Sequence, residues 1–339
     1  MCFARAGSKP PRLAFASRLG AAGRLKDPFP APGGMRVQSV SRLFNAYVMV
    51  DWSAASTPKQ GKDSIWIGVL KRDIRFRLTF EAFNPATRKA AEAQLREILA
   101  DLRRRGDKAL VGFDFPLGFP AGSGEALKLK DPSWRGLWAF LAKDLVDKAD
   151  NTNNRFAVAA KMNRLMTDEP RPFWGAPPKD VQRWLQPTKA AAGEGEPPQL
   201  RRADLATQGL GKAGAKSVWQ LMGVGAVGGQ ALTGIPAVKR LVDDLDGKAV
   251  IWPFQTGWRA LTPADLEGKE IAIAEVYPSL FVAKPEPGEV IDRAQVRAAA
   301  EHFAKLDEQG KLGAAFAPNA APAGGDDAVE REEGWILGA

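Results

Sequence analysis

The stretch AYVMVDWSAAS, residues 46–56, is an apolar run that ends on an acid, Asp51, and passes into a polar loop. A short run that is apolar throughout reads as a strand buried on both faces of a sheet. Two later runs end the same way: ALVGF at 109–113 precedes Asp114, and IAIA at 271–274 precedes Glu275. Where such strands are neighbours, their ends lie side by side, and the three acids can meet although they are far apart in sequence. Clustered carboxylates repel and do not all stay ionised without a cation between them. A hard oxygen-ligand site for Mg²⁺ or Mn²⁺ is the physical remedy.

Between these runs the pattern changes period. Ser64 to Leu70 and Ile74 to Ala82 alternate apolar and polar residues with a short gap, which predicts an antiparallel hairpin. Ala91, Leu95, Ile98, Leu99 and Leu102 form one stripe of a helix over about 86–105. The order is three strands, a helix and a fourth strand. From about 115 to 247 the chain turns helical and loop-rich, which reads as an insertion on the core, with QPTKAAAGEGEPPQ at 186–199 as a loop. A helix is expected from Asp292 to Glu308, and a last short one opens at Gly324-Gly325-Asp326-Asp327.

Composition narrows the chemistry. The 339 residues include one cysteine, Cys2, and one histidine, His302, so an intrachain disulfide, a thiolate zinc site and a His-based triad are all disfavoured. Chemistry here would rest on carboxylates. No apolar run approaches membrane-span length, so a soluble protein of the reducing cytoplasm is expected. The net charge is +9, but residues 1–42 carry eight Lys or Arg against one acid, leaving about +2 for the rest. Residues 1–44 read as a disordered basic tail, or as a mis-assigned start with the true one at Met35. The domain proper is expected over 45–339.

VDWSAAS at 50–56, GFDFPLGFP at 112–120, EVYPS at 275–279 and GDDAVE at 325–330 together resemble the domain-of-unknown-function family 429. Its members are predicted nucleases of the ribonuclease-H-like superfamily. The resemblance covers about residues 46–339 and implies an α/β fold: a ribonuclease-H-like mixed sheet with flanking helices, here with the long helical insertion. It places the family's acidic site, catalytic and metal-ligating, on Asp51, Asp114, Glu275 and Asp326 or Asp327, with Asp51 bridging two metal ions. The implied activity is metal-dependent phosphodiester hydrolysis on nucleic acid or a smaller phosphoester. An actin-like phosphotransferase or ATPase and a non-catalytic adaptor are the alternatives, since the same core serves all three. Some relatives carry cobalamin or molybdopterin biosynthesis labels, which nothing in these residues supports.

Two further segments bear on a substrate. GVGAVGG at 223–229 has dinucleotide-fingerprint spacing but follows KSVWQLM, of helical character, where that fingerprint needs a strand. It reads better as a glycine-rich loop near the site, with Lys212 and Lys216 beside it as phosphate contacts. Lys59 and Lys62, in STPKQGK at 56–62, are a second candidate pair with an ordinary exposed turn as the equal alternative.

Overall fold

The three apolar runs lie next to one another in a six-stranded mixed sheet. In the computed structural model, which describes residues 42–208, 214–317 and 327–339, the strands are β1 (Ala46–Asp51), β2 (Trp66–Arg72), β3 (Leu78–Phe83), β4 (Ala109–Phe113), β5 (Ala249–Ile251) and β6 (Ile271–Glu275). Their spatial order is β3-β2-β1-β4-β6-β5. β2 runs antiparallel to both neighbours, whereas β1, β4, β6 and β5 pair in parallel. The parallel pairs need crossovers; α-helices lie between β1 and β4 and between β4 and β5, whereas β5 and β6 are joined by residues 252–270 with one short 3-10 turn, Pro263–Leu266.

Between β3 and β4 lies α1 (Arg88–Arg104), started by Thr87, whose hydroxyl accepts the Ala90 N–H at 3.2 Å. The segment between β4 and β5 carries α2 (Ser123–Ala126), α3 (Trp134–Asp144), α4 (Arg155–Met166), α5 (Arg202–Ala206) and α6 (Gly228–Asp244). After β6 come α7 (Ile291–Glu308), α8 (Leu312–Ala315) and a π-helical turn, Val329–Glu333.

Alternation along β1 sorts the core into two layers. Ala46, Val48 and Val50 join Leu95, Leu99, Ile235 and Val238 of α1 and α6 on one side of the sheet. Tyr47 and Met49 face the other side, with Val296, Ala300 and Phe303 of α7. The strand is therefore apolar at every position because both faces are covered, and each such side chain contributes roughly 1.5–3 kcal/mol on burial. Asp307, at the end of α7, accepts the Leu43 and Phe44 N–H groups at 2.8 Å each and the Tyr47 hydroxyl at 2.7 Å, which ties the entry of β1 to that helix.

Several expectations shift. The hairpin is shorter than its alternation suggests: Ile74 and Phe76 are 96% and 74% exposed, in the turn. Asp73 makes that turn by accepting the Arg75 and Arg77 N–H groups, so Ile74 and Phe76 never reach the sheet. KSVWQLM is not helical: residues 214–222 are irregular, with a turn at Val218-Trp219 and an isolated bridge, Trp174↔Gln220. β5 was not foreseen, being only three residues long. The basic tail to residue 41 lies outside the described residues, as do Lys212 and Asp326. Among the described residues no helix is long and apolar enough to cross a membrane.

Candidate functional site

β1 and β4 pair in register from Ala46↔Ala109 to Val50↔Phe113, so the next residues, Asp51 at the end of β1 and Asp114 just past β4, stand side by side. Their carboxyl groups are close enough to shift each other's ionisation. Two buried like charges this near disfavour double ionisation, and both acids are shifted upward. Burial first, then the charge of Asp114, holds the Asp51 carboxyl well above the usual carboxylate range. Burial likewise raises Asp114, against the hydrogen bonds it accepts. Those come from the Trp52 N–H to Oδ1 at 2.8 Å and the Gln230 amide to Oδ2 at 3.3 Å. Gln230 sits in the first turn of α6 and also donates to the Trp52 carbonyl at 2.5 Å. Gly234, a turn further on, allows this approach: a Cβ there would lie 2.3 Å from the Phe115 ring.

The loop after β1 is fixed from below by Arg88. This buried guanidinium donates to the Ser53 and Ala55 carbonyls at 3.1 and 2.7 Å while holding Asp147 through bonds of 2.7 and 2.6 Å. Asp63 and Asp292 add further negative charge around Asp51. Asp292, in the first turn of α7, accepts the Asp63 N–H at 2.6 Å.

Glu275 is placed differently from its expected partners. In the β4–β6 register it stands level with Phe113, and so with Val50, one residue before Asp114 and Asp51. One residue of offset starts the side chain from the opposite face of the pleat. There it meets Arg201, which is fully buried and donates to both Glu275 oxygens at 2.7 Å. The same guanidinium bonds Asp204 at 2.8 Å. The pairing opposes the upward push that burial exerts on Glu275.

Among the described residues the expected meeting of four carboxylates is reduced to a pair, with Asp326 lying outside them. Among the described residues no three Asp, Glu, His or Cys side chains form a metal-holding group. Asp327 is exposed at the start of the last helical turn and does not line the cleft described next. Asp51, Asp114 and Glu275 all border one cleft of about 580 Å³. Arg201, Asp204, Asp63 and Gln230 also line it, and none of these was singled out from the sequence. The glycine-rich segment does border the cleft, through Gly223 and Gly225, and so does Lys216. Lys59 and Lys62 do not line it, and Lys59 faces Asp63 at 3.7 Å.

Two neighbouring carboxylates that border one cleft are a suitable donor set for a hard divalent cation. Mg²⁺ is commonly held by one or two carboxylates, water and substrate oxygens, not by a full protein cage. The pair fits that pattern. Glu275, already neutralised by Arg201, does not.

No family model, no curated protein and no solved structure matches this chain.

Proposed function

We propose that this chain is a divalent-metal-dependent phosphoester hydrolase of ribonuclease-H-like type, related to the domain-of-unknown-function family 429, with Asp51 and Asp114 as its metal ligands. The observation that carries this reading is the juxtaposition of Asp51 and Asp114 at the ends of two adjacent parallel strands, both bordering the cleft. The sheet order, with β1 between antiparallel β2 and parallel β4, supports the ribonuclease-H-like assignment.

Bound Mg²⁺ or Mn²⁺ would supply charge for a phosphoryl oxygen and lower the pKa of a bound water. The chain's own residues do the positioning. Trp52 and Gln230 hold both oxygens of Asp114, and Arg88 fixes the loop that follows Asp51. Arg201 removes the charge of Glu275 from the site, which favours one metal ion over the two of the family mechanism.

Calorimetric titration with Mn²⁺, alongside Mn²⁺-dependent hydrolysis of bis(p-nitrophenyl) phosphate, tests the reading. Wild type should bind about one ion and turn over, whereas Asp51→Asn should do neither while melting cooperatively. Absence of Mn²⁺ binding by folded wild type, or undiminished hydrolysis by Asp51→Asn, overturns it.

A further inference from the structure

We infer that the cleft takes a phosphoester of nucleotide size and not a nucleic-acid polymer; this rests on the hydrolase reading above and narrows its substrate. Charge is the first argument. Among the described residues five carboxylates line the cleft, Asp51, Asp63, Asp114, Asp204 and Glu275, against two cations, Arg201 and Lys216. Arg201 is spent on Asp204 and Glu275. Lys216, exposed at the rim, forms no ion pair among the described residues and is left to meet a phosphate. Polymer binding draws on many Lys or Arg contacts along a phosphate chain, and among the described residues this wall offers only Lys216 for one. One metal ion and one lysine match one phosphate group.

Size and lining point the same way. A volume of about 580 Å³ lies within the range of roughly 300–1,000 Å³ typical of clefts that enclose small ligands. Beyond the acidic floor the wall offers neutral hydrogen-bonding groups, Gln230, Gln295 and Ser279, suited to a sugar or a base. Its lip is Gly223-Val224-Gly225, where Val224 is 98% exposed between two glycines of positive φ, 111° and 73°. The solvent-facing valine offers an exposed apolar contact at the mouth of the cleft for part of a base. In the reaction, water adds to phosphorus and the P–O bond to the leaving group breaks. The leaving oxygen takes up a proton, and the second water proton goes to solvent or stays on the phosphate product.

The test is calorimetric binding in Mn²⁺ of a phosphorothioate-linked thymidine dinucleotide and of longer phosphorothioate oligothymidylates up to sixteen nucleotides. Wild type, Lys216→Ala and Val224→Glu are compared, with thermal melts to show that these exposed substitutions leave the fold intact. The dinucleotide should bind, the Kd should change by less than about threefold with length, and each variant should weaken binding by about tenfold or more. A Kd that falls steadily with length and rises steeply with salt overturns the inference in favour of a polymer substrate. So does binding unaffected by both variants. Failure to bind any member while Mn²⁺ still binds overturns the small-substrate inference alone; failure to bind Mn²⁺ overturns the hydrolase reading with it.

Discussion

Arg201 closes on Glu275 through two parallel hydrogen bonds of 2.7 Å, joining residues 74 positions apart with both side chains almost wholly out of water. Arg201 also donates to the Glu333 carbonyl at 3.0 Å, and the Glu333 carboxylate accepts the Ala121 and Arg202 N–H groups at 3.0 and 2.9 Å. This one guanidinium therefore links the end of β6, the start of α5 and the C-terminal turn, and through Glu333 the loop after β4.

Removing it leaves two buried carboxylates facing each other. Arg201→Met is expected to destabilise the fold by about 3–5 kcal/mol, the usual effect of stripping one partner from a buried pair. Pairing that change with Glu275→Gln, which keeps the shape and removes one of the stranded charges, should recover part of the loss. Urea unfolding of the three proteins measures this. Equal stability of wild type and Arg201→Met would show that the bridge is not structural.

The carboxyl pair makes stability depend on pH in a direction opposite to most proteins. Asp114 is pushed up to about 7 by burial, from an ordinary value near 4, and Asp51 is raised too. A raised folded-state pKa means that the folded chain holds its proton where the unfolded chain has released it. Stability from this source is complete below about pH 4, declines as pH rises, and is lost above about 7. The lone histidine works the other way, since burial lowers the pKa of His302 and its stabilisation is lost as pH falls. The difference between wild type and Asp51→Asn separates the two effects. In metal-free buffer Asp51→Asn should gain on wild type between pH 4 and 7, by an amount on the order of a few kcal/mol. Mn²⁺ should reverse the gain by stabilising wild type alone. A difference that stays flat across this range in chemical unfolding curves would count against the raised carboxyl pair.

How much of this was legible beforehand depended on whether the signal was local. Val48 and Val50, or Val111 and Phe113, identify buried strands because a run with no polar position has only one place in a sheet, and the acids that end the runs follow directly. The outcome at Glu275 did not follow. Its run ends like the others, but which face it uses depends on a one-residue register against β4, and register is set by how the whole sheet packs. Arg201 and Asp204 carry no local signature: RRAD reads as an ordinary helix start until Glu275 is brought against it. Ile74 and Phe76 mislead in the opposite sense, because alternation says nothing about where Asp73 will close the turn.

Gln230 offers the sharpest separation of positioning from folding. Its amide reaches the Trp52 carbonyl and the Asp114 carboxylate at once, so it sets the rotation of Asp114 from the first turn of α6 without itself being an acid. Gln230→Leu keeps the bulk and removes both hydrogen bonds. The stability loss should be modest, about 1–2 kcal/mol, because the Trp52 N–H still holds the other oxygen of Asp114. Mn²⁺ affinity should fall more steeply, by roughly 10–100-fold, as it does when a partner that orients a metal ligand is removed. Gln230→Glu should differ in kind. A third carboxylate beside the pair adds repulsion in the metal-free protein and a further donor in the loaded one, so its melting temperature should drop without metal and rise more than wild type on adding Mn²⁺. Melting with and without Mn²⁺, together with calorimetric affinities, distinguishes the three proteins. If Gln230→Leu loses stability but binds Mn²⁺ as wild type does, Gln230 is a packing residue and the orientation of Asp114 is secured by Trp52 alone.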